Sequence, residues 1–161
     1  MIKRLDAAAA LVFLIPVTAL AGALFSEHVL GFPPCILCLW QRVPYVLALA
    51  LGAYALGPWH GEENRRLALY GASALFAVGA GIALFHAGVE AHWWRWESEC
   101  TGNASPAQTV EELRRQLMAA PVVRCDEPPF YLLGLSMAGW NAVFSPLFAA
   151  IALWGAKKRV P

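Results

Sequence analysis

Charge is missing from four long stretches of this chain, and that constrains its fold more than any other feature. Ala7 to Ser26 and Val43 to Trp59 carry none, Leu67 to Val89 carries none besides His86, and Pro128 to Ala156 is uncharged throughout. A helix rises 1.5 Å per residue and the hydrocarbon core of a bilayer is about 30 Å thick, so each stretch is long enough to span it. The composition agrees: 59% of residues are hydrophobic, 14% are charged and the mean hydropathy is +0.53, outside the range of soluble domains. The expected fold is an all-α integral membrane protein, a four-transmembrane-helix bundle with a short amphipathic helix in its second outer loop.

The expected helices cover about 7–26, 41–59, 67–89 and 137–156, with outer loops at about 27–40 and 90–136, in a single membrane domain of residues 1–161. Trp140 and Trp154 mark the two ends of the last span as interfacial anchors. Pro16 and Pro146 fall inside spans, where neighbouring helices satisfy the freed backbone groups. Lys3, Arg4 and the Ala19-Leu20-Ala21 pattern also fit a cleavable signal peptide, but the apolar stretch exceeds a signal core of about 7 to 15 residues, which favours a retained helix.

Basic residues near span ends assign the sides, because short Lys- and Arg-rich segments stay in the cytoplasm. Lys3, Arg4, Arg65, Arg66, Lys157, Lys158 and Arg159 all fall on one face, which is read as cytoplasmic, with both termini inside. Arg95, Arg114, Arg115 and Arg124 lie in the long outer loop on the other face, offset within that loop by seven acidic residues. The net charge of +1, without a basic cluster, excludes a nucleic-acid partner held by phosphate contacts. The lipid bilayer is the partner that composition demands.

All four cysteines, Cys35, Cys38, Cys100 and Cys125, fall in outer loops, the oxidising side on which disulfides form. Cys35-Ile36-Leu37-Cys38 is a C-x-x-C element, a redox dithiol or half of a zinc site. Zinc sites normally pair two short-spaced motifs, whereas Cys100 and Cys125 are far apart, so no metal is expected. For Cys100 and Cys125 alone, an inert bridge closing a long loop is the plainer reading. The C-x-x-C element shifts that balance toward redox chemistry.

Pro33 and Pro34 precede the element, and Leu39, Trp40, Gln41 and Arg42 lead from it into the second helix. The dithiol therefore stands at a helix N-terminus, where unpaired N–H groups and the dipole favour a thiolate. Arg42, four residues after Cys38, lies one turn away on the same face, within reach of a sulfur or an oxygen anion; the alternative is an arginine snorkelling to headgroups. Between the second pair, Thr109-Val110-Glu111-Glu112 fits a capping box, and Val110, Leu113, Leu117 and Met118 recur at helical spacing, which predicts the amphipathic helix. That arrangement gives Cys100 and Cys125 mobile flanks. Trp93, Trp94 and Trp96 read as an interfacial belt, and His86, ionisable within a span, is a functional candidate.

Two motifs, Pro34-Cys35-Ile36-Leu37-Cys38-Leu39-Trp40-Gln41-Arg42 and Gly134-Leu135-Ser136-Met137-Ala138-Gly139-Trp140-Asn141, together with four spans, make the chain resemble the bacterial disulfide bond formation protein B (DsbB) family over essentially its whole length. Vitamin K epoxide reductase relatives also carry four such cysteines, but with the C-x-x-C after the loop pair. The resemblance implies a multi-pass protein of the bacterial inner membrane with its cysteines in the periplasm. It implies an oxidoreductase that reoxidises a thioredoxin-fold thiol oxidant, DsbA-like, with a quinone, ubiquinone or menaquinone, as acceptor.

In the scheme that the resemblance implies, a partner thiolate attacks Cys100 and releases Cys125, Cys125 attacks Cys35, and Cys38 is freed as a thiolate against the quinone. Cys35, Cys38, Cys100 and Cys125 are then catalytic. Arg42, Met137 and His86 contact quinone, with Glu90 and His92 as neighbouring candidates to His86. Such a partner is itself a strong oxidant, at roughly −120 mV, so a glutathione-like poise cannot keep it oxidised and a coupled acceptor is required. The rival reading is a non-catalytic membrane scaffold with two structural disulfides.

Overall fold

A computed structural model describes residues 2–58, 60–94, 109–112, 114 and 123–157. Four helices account for most of them: α1 (Ile2–His28), α2 (Ile36–Leu56), α3 (Glu62–Glu90) and α4 (Met137–Ala156). All four are long and apolar enough to cross a membrane. The protein is a multi-pass, all-helical membrane protein, as the uncharged stretches require. Several expected limits move: α1 covers Ile2–His28 rather than 7–26, α3 covers Glu62–Glu90 rather than 67–89, and α2 begins at Ile36 rather than 41 and ends at Leu56 rather than 59. The earlier start of α2 follows from Cys35, whose extended backbone and sulfur cap the helix before the apolar run begins.

The helices follow one another around the bundle. α2 packs on α1, α3 on α2 and α4 on α3, and α1 closes the ring against α4. Helices in lipid gain little from hydrophobic burial against each other, so close approach depends on small residues. Ala8, Ala48, Ala55, Ala72, Ala152 and Ala156 accordingly fill the core, with Phe76 and Leu69 as its large buried side chains. At Gly52 a Cβ would stand 2.7 Å from the backbone nitrogen of Phe13, so only glycine permits the α1–α2 contact.

Charged groups gather at the end of the bundle opposite the cysteines. Arg65 reaches Asp6 and the Ala55 carbonyl, Arg66 is buried against Glu62 and the Ala156 carbonyl, and the Arg4 guanidinium lies 4.2 Å from the centre of the Trp154 ring. At the cysteine end, Phe32 meets Phe130 with ring centres 5.3 Å apart, tying the α1–α2 connection to the segment before α4. That segment makes a tight turn in which Leu132 and Leu135 exchange backbone hydrogen bonds around Leu133 and Gly134, both at positive φ. Trp140 on α4 donates its indole N–H to the Leu132 carbonyl and fixes the turn over the helix start.

Of the expected amphipathic helix, 110–112 and 114 are helical, and Thr109 Oγ1 accepts from the Glu112 N–H, one half of the capping box. The rest of that segment lies outside the described residues, as do Cys100 and Trp96. Trp93 is exposed, whereas Trp94 turns back onto α3, stacking on Phe85 and donating to its carbonyl over the space left by Gly88.

Candidate redox site

The sequence Pro33-Pro34 feeds an extended Cys35 into the first turn of α2, and Cys38 completes that turn. Cys35 Sγ accepts the Cys38 N–H at 3.3 Å, doing with sulfur what a serine does at an ordinary N-cap. The same geometry brings the sulfurs together, with Cys35 Sγ donating to Cys38 Sγ at 3.0 Å. The Cys35 thiol is pushed up to about 12, first by this hydrogen bond to Cys38 and then by burial. Negative charge in the pair therefore belongs on Cys38.

Cys125, expected to have a mobile flank, is itself drawn into the bundle. It is buried and packs in one cluster with Cys35, Leu37 and Val89, with Cys38, Phe85 and Val123 around them. The reason is the Phe32–Phe130 contact and the turn over α4, which draw the 123–136 segment down onto the bundle. One member of the loop pair thus sits beside the C-x-x-C pair.

His86 is buried between them. Its Nε2 lies 3.2 Å from the Cys125 carbonyl oxygen, 3.6 Å from Cys35 Sγ and 3.7 Å from Glu90 Oε1. Glu90 also accepts a hydrogen bond from Ser136, the residue that caps α4 by accepting the Gly139 N–H. Glu90 therefore joins the site, while His92 falls in the exposed turn after α3 with φ of 56°. Arg42 is not directed at a sulfur as its spacing allowed: its Nη1 is 2.6 Å from Glu27 Oε2 on α1.

Cys35, Cys38 and His86 offer three metal-ligand atoms within 4.8 Å of one another. The hydrogen bonds argue against coordination there. Gln41 Nε2 lies 2.7 Å from His86 Nδ1, and an amide N–H can only donate, so the ring proton stands on Nε2, the nitrogen that would have to bind a metal.

A cavity of about 550 Å³ opens beside the dithiol, and Cys38, Arg42, His86, Glu90, Met137 and Cys125 all contribute to its wall. The lining is mostly apolar by area with polar groups set into it, the usual character of a site for a ring-sized organic molecule. Arg42, Met137 and His86, the three residues expected to contact quinone, thus share one cavity with Cys38.

The wall also holds polar residues that the sequence did not single out as contacts, two of them, Gln41 and Asn141, within the motifs. Gln41 and Tyr45 on α2 and Asn141 on α4 line the cavity, and with Ser145, one turn further along α4, they form a polar group across the diagonal of the bundle. Each pair is four residues apart, so each presents one face of a helix. Polar side chains at that spacing within apolar spans were the signal for them.

The sequence model of the family described as "Disulfide bond formation protein DsbB" matches residues 5–155. The chain belongs to the DsbB family. The disulfide bond formation protein B of Marinobacter nauticus is 34% identical over 161 residues, covering 92% of this chain and 90% of its own length. That of Neisseria meningitidis serogroup C is 32% identical, covering 92% and 93%, and that of Haemophilus ducreyi 31%, covering 78% and 70%. No solved structure matches the chain significantly. Membership in the DsbB family makes this a membrane oxidoreductase of disulfide bond formation.

Proposed function

We propose that the protein is a thiol:quinone oxidoreductase that reoxidises a DsbA-like, thioredoxin-fold disulfide donor. The observation that carries this reading is the wall shared by Cys38, Cys125 and Arg42 around one largely apolar cavity. Such a cavity suits the ring of a lipid-soluble quinone, ubiquinone or menaquinone, with Arg42 and His86 as its polar contacts and Met137 as an apolar one. The quinone supplies a two-electron acceptor; the chain supplies the thiols and the protons' path.

The balance is simple. A partner dithiol exchanges with the Cys100–Cys125 disulfide, leaving the partner oxidised and this pair reduced. That pair exchanges with the Cys35–Cys38 disulfide. The resulting dithiol gives two electrons and two protons to the quinone and returns to a disulfide. Burial of Cys125 against Cys35 favours the middle exchange, because a thiolate must approach the sulfur it attacks.

The arrangement in the cell follows the same reading: a bacterial inner membrane, both termini in the cytoplasm and the cysteines in the periplasm. The clustering of Arg4, Arg65 and Arg66 at the end opposite the cysteines supports it. A single membrane domain over residues 1–161 is part of the same reading, supported by the one core to which all four helices contribute.

The test is to mix membranes containing the protein with a reduced thioredoxin-fold oxidant and follow quinone absorbance. Quinone loss that depends on Cys38, vanishing in Cys38→Ser, is expected. No absorbance change with the intact protein would favour a scaffold with structural disulfides.

A further inference from the structure

The polar group between α2 and α4 has a direction. Asn141 Oδ1 accepts from Tyr45 OH at 2.6 Å and from Ser145 Oγ at 2.7 Å, which turns the amide so that its Nδ2 faces and donates to Gln41 Oε1. Gln41 Nε2 is thereby left facing His86 Nδ1 at 2.7 Å. Because an amide nitrogen offers no lone pair, Nδ1 must be the acceptor and carries no proton. A neutral His86 then bears its proton on Nε2, aimed at Cys35 Sγ and the Cys125 carbonyl.

Cys35 in turn donates to Cys38. The bonds run one way, from the hydroxyls of Tyr45 and Ser145 through Asn141, Gln41, His86 and Cys35 to Cys38 Sγ. Gln41, His86, Tyr45 and Ser145 are all buried, where such groups are costly unless satisfied and where aligned hydrogen bonds polarise one another.

We propose that Gln41 and Asn141 are positioning residues that fix the His86 proton on Nε2 and so complete a one-way hydrogen-bond chain that stabilises negative charge on Cys38 Sγ. The inference builds on the reading of Cys35 and Cys38 as a redox dithiol. The chain moves no electrons. It lets the Cys38 proton leave more readily while Cys35 keeps its own until the disulfide closes. The titratable groups facing His86 are Cys35 and Cys38 from α2, Glu90 from α3 and Cys125 from the loop, and α1 brings Glu27 near only as the partner of Arg42. From α4, the network receives amide and hydroxyl groups.

Two measurements on the reduced full-length protein in lipid nanodiscs test this, and neither uses quinone or partner. The first is the ¹⁵N spectrum of labelled histidine, with His86→Ala identifying the His86 signals. Nδ1 should resonate as an unprotonated nitrogen and Nε2 as a protonated one; a proton on Nδ1 overturns the proposal. The second is the pH profile of Cys38 alkylation, read by mass spectrometry.

Gln41→Leu should slow alkylation near neutral pH roughly fivefold, the worth of about one hydrogen bond, without lowering the plateau at high pH. Asn141→Leu should move the profile the same way by less. An unchanged profile in Gln41→Leu overturns the proposal, because filling a buried space alone would not set the protonation of a sulfur three hydrogen bonds along the chain. If Gln41→Leu does not fold, the spectrum of the unaltered protein still decides. Turnover of quinone with His86 protonated on Nδ1 would refute the positioning role alone; the expected tautomer without turnover would refute the oxidoreductase reading alone.

Discussion

Arg42 Nη1 lies 2.6 Å from Glu27 Oε2, joining the first turns of α2 to the last turn of α1 beside the cavity that Cys38 lines. The pair is partly buried, so its charges are less screened than those of a surface bridge and hold the guanidinium in one place. Arg42→Ala removes a charged donor from the proposed quinone site and should raise the KM for quinone about tenfold, with kcat little changed. Glu27→Gln keeps an acceptor but loosens the arginine, so a smaller rise in KM is expected. Steady-state kinetics at varied quinone concentration check both. An unaltered KM in Arg42→Ala would make Arg42 a lipid anchor.

The two cysteine pairs should fail differently. Cys100→Ser removes the sulfur proposed to meet the partner, so quinone reduction driven by a reduced thioredoxin-fold protein should fall to background. The C-x-x-C pair should remain oxidised, because Cys35 and Cys38 close on each other within one helical turn. Alkylation of free thiols followed by mass spectrometry reads this directly. Reduced Cys35 and Cys38 in Cys100→Ser would show that the partner reaches the C-x-x-C pair without the loop pair.

Four spans, the end at which basic residues gather and the C-x-x-C at a helix start were legible in the sequence, because each rests on a local pattern: missing charge, span-end arginines, or Pro-Pro before a capping residue. What was not legible depends on contacts between distant segments. Arg42 was within reach of a sulfur by helical spacing, yet Glu27 on another helix claims it. Cys125 was expected to have a mobile flank because an amphipathic helix separates it from Cys100, yet the Phe32–Phe130 contact helps to draw its segment into the core. Gln41 and Asn141 stood in the motifs that carried the resemblance, but their meeting across the bundle required the order of helices around it.

Two glycines should respond oppositely to alanine. Gly52 faces the backbone of α1, where a Cβ would come 2.7 Å from Phe13 N, so Gly52→Ala must push the helices apart and should cost about 1–3 kcal/mol. Gly22 lies within α1 with nothing within 4 Å of an added Cβ. There alanine only restricts the unfolded chain and favours the helix, so Gly22→Ala should stabilise by about 0.4–1 kcal/mol. Thermal unfolding in detergent, followed by circular dichroism, should show Tm moving down for the first and up for the second.

Acid should loosen the segment that carries Cys125. Arg124 Nε and Nη2 donate to the two carboxylate oxygens of Asp126 at 3.0 and 2.6 Å, and this pairing, chiefly through its hydrogen bonds, holds the carboxyl below its ordinary 3.8. A carboxylate depressed in the folded state adds stability that is present in full above the unfolded value and lost as pH falls through the folded one. The pair should therefore persist at all pH values above about 3.8 and open only below it. Both groups face solvent, so the consequence is local order around Cys125 rather than global stability, and added salt should weaken it. A carboxyl ¹³C titration should place Asp126 below the ordinary carboxylate range, and Arg124→Leu should return it there. An Asp126 that titrates normally in the unaltered protein would show that the bidentate pair does not persist in solution.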